Sequence, residues 1–206
     1  LARAGTIPGS SLPSALPGEE PVPDFPSGLL VELSGNQETA RLSSAVSAVL
    51  RAQRQAETTA WIQPWRGTLY PPDLADAGVD LEALVVVRVP ESAGDAGLGK
   101  AAEMLVRSGA FGLVVVDARD CRLRLPSAGQ GRLLGAVRGN DSCIVFLTSK
   151  SSTSESVGSL VGLRLEPRRV RFAPGLFAVE HQVLKNKPGL PYAEASERRS
   201  GPAGLR

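Results

Sequence analysis

The spacing of hydrophobic positions switches repeatedly along this chain between a period of two or less and the helical period. Leu29-Leu30-Val31-Glu32-Leu33 is a short apolar run closed by Ser34-Gly35, which predicts a strand followed by a turn. From Thr39 to Arg54 the apolar residues Leu42, Ala45, Val46, Val49 and Leu50 recur at helical spacing. Thr58-Thr59-Ala60-Trp61-Ile62 predicts a second strand. Leu84-Val85-Val86-Val87 predicts a third, and its unbroken hydrophobicity implies burial on both faces. Leu98, Ala101, Ala102, Leu105 and Val106 define another helix, stopped at Gly109. Leu113 to Asp117 and Cys143 to Thr148 are further strands, bridged by a short helix around Gly131 to Val137.

Strands that alternate with helices build βαβ units, hence a mainly parallel sheet with helices on both faces. After Lys150 the pattern changes. Leu160–Leu165, Arg169–Phe172 and Phe177–Leu184 are apolar-rich runs with no helix between them, which predicts antiparallel strands extending the same sheet. Residues 1–27 carry Pro8, Pro13, Pro17, Pro21, Pro23 and Pro26 among Gly and Ser, and read as an extended arm. Residues 28–186 are the core. Residues 187–206, with Pro188, Gly189, Pro191 and Gly201-Pro202, read as a flexible tail that a partner could order.

The 206 residues suffice for one α/β domain with extensions, and 42% hydrophobic content supports a buried core. Aromatic residues are only 4%, so that core rests on Val, Leu and Ala. The net charge of +2 gives no argument for nucleic acid unless the basic residues cluster. Cys121 and Cys143 lack metal-type spacing and read as buried, inert thiols. No apolar run approaches the roughly 20 residues of a membrane span, and a reducing cytoplasm is the expected setting.

A strand ending in Gly35 with a helix after it is where a phosphate-binding loop would lie. Such a loop needs Gly-x-x-x-x-Gly-Lys-Ser/Thr, because its amides must curl around phosphate oxygens. Here Gly35 is present, but the second glycine is Ala40, the lysine is Arg41 and the magnesium-binding hydroxyl is Leu42. Asp117, closing an apolar strand, stands where P-loop proteins carry the acid that holds magnesium; it could equally cap a loop. The exit of the second strand, Gln63-Pro64-Trp65-Arg66, offers no carboxylate to activate water, and Trp61 and Trp65 read as packing residues. His181 is the only histidine, which excludes a multi-histidine metal site, and no Gly-x-Ser-x-Gly elbow presents a serine to it. No catalytic residue, cofactor or metal ligand is therefore expected. Basic residues gather at Arg119, Arg122 and Arg124 and again at Arg164, Arg168, Arg169 and Arg171. They suit a phosphate or acidic-partner surface, or a charged sheet edge kept from pairing.

The order of segments resembles the RecA core. Pro26-Ser27-Gly28-Leu29-Leu30-Val31-Glu32-Leu33-Ser34-Gly35 resembles the family's P-x-G-x-I-V-E-I-x-G, and Ala60-Trp61-Ile62 its A-F-I-D strand. Ala77-Gly78-Val79-Asp80 resembles L-G-V-D, Arg107-Ser108-Gly109-Ala110 with Leu113 to Asp117 resembles R-S-G-A-x-x-x-x-V-V-D, and Val183-Leu184-Lys185-Asn186-Lys187 resembles V-V-K-N-K. The resemblance implies a RecA-like P-loop core with a degenerate nucleotide loop. The segments where RecA carries its DNA-binding loops are short here, at 118–126 and 148–158.

Shortened RecA cores with a degraded P-loop resemble the ImuA family, including forms once called SulA-like. That resemblance implies a non-catalytic accessory of translesion synthesis in the SOS response to DNA damage. Its partners would be an ImuB-like polymerase subunit, an error-prone DNA polymerase complex and RecA itself, with direct contact to DNA left open. Lys185, Lys187, Arg168, Arg169, Arg171, Tyr192, Arg198 and Arg199 are the candidate partner-binding residues. A weak RecA-like ATPase and a SulA-like inhibitor of cell division are the alternatives.

Overall fold

The computed structural model describes residues 25–36, 39–173, 176–189 and 197–200, the last four by their backbone alone. In chain order the elements are β1 (Leu30–Ser34), α1 (Arg41–Arg54), β2 (Thr59–Pro64), α2 (Pro71–Asp76), β3 (Leu84–Val89), a 3-10 turn at Glu91–Ala93, α3 (Gly97–Arg107), β4 (Leu113–Ala118), α4 (Ser127–Gly139), β5 (Cys143–Thr148), β6 (Leu163–Ala173), β7 (Leu176–Asn186) and β8 (Glu197–Ser200). All eight strands join one sheet in the order β3-β2-β4-β5-β1-β6-β7-β8. Neighbours from β3 through β6 pair in parallel, while β6–β7 and β7–β8 are antiparallel. The expected α/β architecture is present, with its antiparallel extension.

Two apolar layers sandwich the sheet. Val31, Leu33, Trp61, Val115 and Leu147 point towards α1 and α2. Leu30, Ile62, Val114, Val116 and Phe146 point towards α3 and α4. Alternation along each strand sends successive side chains to opposite layers, so strands buried on both faces are continuously hydrophobic.

Several elements differ from the sequence expectation, each for a tertiary reason. The expected third strand is present as β3, but Val85 and Val86 are 41% and 40% exposed, because β3 is the sheet edge. Residues 163–165 and 169–172 belong to one strand, β6, which continues through Pro167, while 160–162 lie before it. Its pairing to β1 ends at Leu165, so the donor that Pro167 lacks would face no strand there. The helix expected around 131–137 extends over Ser127–Gly139. α2 begins on Pro71-Pro72, a favourable first turn where no donor is required. Trp61 is wholly buried, whereas Trp65 is 59% exposed and leaves the core. Cys143 is buried but Cys121 is exposed, against the expectation for that thiol. Four residues from the stretch read as a tail, Glu197–Ser200, pair with β7. No described helix is long and apolar enough to cross a membrane.

Candidate functional site

In a parallel α/β sheet, ligands are held outside the carboxyl ends of the strands, where loops leave for helices on either face. Here that edge collects Ser34 from β1, Asp117 from β4 and Thr148 from β5, which lie in neighbouring registers. The loop from Gly35 to α1 closes over them. Gly35 is required by close approach: a Cβ there would lie 2.4 Å from Thr39 Cγ2.

Two of the described loop amides are already bonded within the chain. Thr39 N–H donates to the Asn36 carbonyl at 3.2 Å, and Ala40 N–H to the Pro167 carbonyl at 3.0 Å. An anion at a helix N-terminus needs those donors free and pointed at it. Arg41, only 4% exposed, folds back across the strand ends instead of reaching outward. Its Nη1 donates to the Thr148 carbonyl at 2.7 Å and to Ser149 Oγ at 3.0 Å, and its Nη2 to the Asn36 carbonyl at 2.9 Å. Arg41 Nε is buried with no hydrogen-bond partner among the described residues. Burial, and then the like charge of Arg119, lower the Arg41 pKa, with Asp117 and Asp120 acting the other way. Leu42, expected at the position of a magnesium-binding hydroxyl, is exposed on α1 and has no donor or acceptor on its side chain.

Asp117 is equally committed. Arg119 grips it with a fork, Nε to Oδ1 and Nη2 to Oδ2, both 2.8 Å, and the Arg119 amide adds a longer contact of 3.3 Å. Bidentate pairs of this kind are the strong form of the ion pair. Burial works to lower the Arg119 pKa, but the hydrogen bonds and charge of Asp117 outweigh it and the pKa is raised. Ser149 Oγ donates to the Arg119 carbonyl at 2.7 Å and so ties the two arginines into one cluster. Arg119 therefore belongs to this site and not to an open basic patch with Arg122 and Arg124, which are exposed. At the end of β2, Gln63 is fully buried and its Oε1 accepts the Leu69 amide at 3.2 Å.

Gly35, Ala40, Arg41, Leu42 and Asp117 are thus gathered at one end of the sheet. The partner-binding candidates with a described position fall into two separate groups. Lys185 and Lys187 lie at the opposite end, where β7 runs beside the start of β6 and β1. Their Nζ atoms cap the loop before β6: Lys185 donates to the Gly158 and Ser159 carbonyls at 3.3 Å, Lys187 to Ser159 at 2.6 Å. Burial, then the neighbouring Lys187, lower the Lys185 pKa. Arg168 pairs with Glu166 at 2.8 Å on one face of β6. On the other face Arg169 stands over the Phe177 ring at 5.5 Å, and Arg171 is exposed. Phe177 is the register partner of both Arg171 and Arg199, so these three positions form one cross-strand row. Arg198 occupies the next position of β8; the side chains of Arg198 and Arg199, and all of Tyr192, lie outside the described residues. Among the described residues no three of His, Cys, Asp and Glu gather as a metal site needs.

Sequence reasoning missed a second buried cluster. Glu32, with no exposed surface, accepts from Thr148 Oγ1 at 2.7 Å, Ser156 Oγ at 2.6 Å and the Val157 amide at 2.9 Å, and faces Arg164 Nε at 3.6 Å. Arg164 also donates to Ser34 Oγ at 2.9 Å and to the carbonyls of Ser151 and Ser154. A charge inside the apolar run of β1 was the available signal, since buried charges are paired. His181, also buried, meets Ser44 Oγ at 2.8 Å and joins β7 to α1.

The strand order, the helix rising from the loop after β1 and the acid closing β4 define a RecA-like α/β core. The chain belongs to the RecA family: the family profile described as the RecA N-terminal domain matches residues 9–128, more than half of it. Among curated relatives, Protein RecA of Nocardioides sp. is 27% identical over 210 residues, covering 83% of this chain and 58% of that protein. Protein RecA of Oceanobacillus iheyensis is 27% identical over 234 residues, covering 95% of this chain and 65% of that protein. Protein RecA of Lactobacillus delbrueckii subsp. bulgaricus is 32% identical over 116 residues, covering 56% of this chain and 33% of that protein. The chain spans less than two thirds of the length of each.

Proposed function

We propose that this RecA relative does not turn over nucleotide and serves as a cytoplasmic accessory of DNA repair, working in damage-induced mutagenesis through protein contacts. The observation that carries the proposal is the position of Arg41: its buried guanidinium is held at the strand ends by backbone and side-chain oxygens. A γ-phosphate needs free amides and a cation that reaches towards it. Here the amides of Thr39 and Ala40 and the cation are all bonded within the chain. Magnesium needs a hydroxyl and a free acid, and Leu42 and the Arg119-bound Asp117 supply neither.

With the nucleotide edge closed, the remaining assets are surfaces, which fits an adaptor to an ImuB-like subunit of an error-prone polymerase complex, with RecA as a further partner. Thermal unfolding with millimolar ATP and magnesium tests the nucleotide half. A ligand at a hundred times its Kd would add about 2.7 kcal/mol of stability; no measurable shift is expected. A clear rise in melting temperature that is lost in Asp117→Ala would overturn the proposal. Affinity capture from damaged cells tests the partner half. Recovery of polymerase components supports it, and recovery of a cell-division protein instead points to the SulA-like alternative.

A further inference from the structure

The helices on the other face of the sheet leave a trough open. α3 and α4 lie side by side, and between them and the segment entering α4 is a space of about 470 Å³. Its floor is apolar. Met104 is 66% exposed, the most exposed large hydrophobic side chain among the described residues, and Leu125 and Leu133 continue the surface inward. Gly99 keeps the trough deep, since a Cβ there would come within 2.9 Å of Leu125 Cδ2.

Its rim is basic. Lys100, Arg107, Arg124 and Arg132 surround that floor, against a single carboxylate, Glu103. Glu103 is already shared, accepting from Arg107 at 3.2 Å and from Arg132 at 3.0 Å. Lys100 and Arg124 make no ion pair with any described residue. Four cations against one carboxylate around an exposed apolar anchor are the complement of an amphipathic segment with acidic flanks.

The spacing selects a helix. Lys100, Met104 and Arg107 stand one turn apart along α3, a span of about 10 Å at 1.5 Å per residue. A partner helix laid in the trough would set an aliphatic side chain on Met104 and carboxylates one turn to either side. Helix-in-groove recognition reads anchors at this repeat, and methionine adapts its shape to the side chain it receives.

We propose that the trough between α3 and α4 docks an acidic amphipathic helix of a partner protein, its apolar face on Met104 and Leu125 and its carboxylates on Lys100, Arg107 and Arg124. This goes beyond the nucleotide reading and does not depend on it, because Arg41 and Asp117 belong to the strand ends and not to this trough.

The test is selection of a random peptide display library on the full chain, with counter-selection on Met104→Glu/Arg124→Glu. Both positions are exposed, and an unchanged melting temperature will confirm that the variant folds. Enriched peptides should carry glutamate or aspartate one turn either side of leucine, isoleucine or phenylalanine. By fluorescence anisotropy, a labelled enriched peptide should bind the variant at least about tenfold more weakly, the loss typical of a central apolar anchor. It should bind an Arg54→Glu/Arg88→Glu control, two exposed positions outside the trough, as it binds the parent chain. Peptides that are basic or proline-rich, equal binding to parent and variant, or no enrichment at all would overturn the proposal. So would sedimentation as a dimer that Met104→Glu dissociates, which would put a second copy of the chain in the trough.

Discussion

Arg41 and Arg164 are both almost completely buried, both come from positions beside β1, and both hold the segment that follows β5. Arg164 does so with a counter-charge: Glu32 lies 3.6 Å away, and three further donors satisfy that carboxylate. Arg41 does so on neutral oxygens alone, with Asp117 held by Arg119 instead. Arg41 and Glu32, the counter-charge of Arg164, both meet Thr148, whose carbonyl accepts Arg41 and whose hydroxyl donates to Glu32. The difference separates two uses of a buried cation. A charge pair closed on itself fixes the chain, whereas a cation held by neutral oxygens lies across the strand ends without a counter-charge. The comparison predicts that Arg164 matters first for folding and Arg41 first for what the edge excludes.

The largest effect should come from breaking the closed pair. Glu32→Ala leaves Arg164 buried without its carboxylate and should cost about 3–5 kcal/mol in urea unfolding, a large share of the stability of a domain this size. The double change Glu32→Leu/Arg164→Met removes both charges and should recover much of that loss, because apolar replacements of a buried pair are often tolerated. A Glu32→Ala variant as stable as the parent would show that the pair is not what fixes the 149–160 segment.

Arg41→Ala should cost less, about 1–3 kcal/mol, since it removes hydrogen bonds from a charged donor but strands no opposite charge. The same variant sharpens the functional side of the comparison. If Arg41 alone closed the nucleotide edge, its removal would restore a thermal shift with ATP. None is expected, because the amides of Thr39 and Ala40 remain bonded and Leu42 remains apolar. A shift that appears in Arg41→Ala would make the arginine a removable plug over an intact site.

How much of this was legible in the sequence depends on whether the determinant is local. The departure from the phosphate-loop pattern lies within eight consecutive positions, so Ala40, Arg41 and Leu42 could be read against that pattern directly. The alternation of strands and helices is likewise local and predicted the sheet. Two identical tetrapeptides mark the limit. Leu-Val-Val-Val occurs at residues 84–87 and again at 113–116, and both predict a strand, the first with burial expected on two faces. The second is central and fully buried, while the first lies at the sheet edge with Val85 and Val86 exposed. Position in the sheet is set by crossovers, which no tetrapeptide encodes. The Glu32 cluster was hidden for the same reason: its partners Thr148, Ser156 and Val157 lie more than a hundred residues away.

Thr148 offers a smaller effect with a sharper reading. Thr148→Val removes only the hydroxyl on the Glu32 side and should cost about 1–2 kcal/mol, since a buried carboxylate loses one donor. Combined with Arg41→Ala, it tests whether the two arginine sites are one unit. Residues that share a partner couple by about 0.5 kcal/mol or more in a double-mutant cycle, whereas separate sites add. Additive losses would mean that the end of β5 is held independently by each arginine.

The smallest effect is a reporter of the field around Arg41. Cys121 is exposed, yet burial of its sulfur first, then the charges of Asp117, Asp120 and Asp95, raise its pKa above the ordinary thiol value. The thiolate is the nucleophile, so a raised pKa leaves less of it at neutral pH. Alkylation by iodoacetamide at pH 7 should therefore be slower than that of glutathione, and its rate should still be climbing at pH 9. Arg41 lies in the field of the same Asp117 and Asp120. Removing that cation in Arg41→Ala leaves the carboxylates less balanced and should slow Cys121 by about twofold. The double variant Glu32→Leu/Arg164→Met keeps Arg41, Asp117 and Asp120 and should leave the rate unchanged. Cys143 is buried and should stay unlabelled in the folded chain throughout. Equal slowing by both variants would mean that the two arginines act on the β4 exit through a common shift of the loop after β5, and the electrostatic distinction between them would fail.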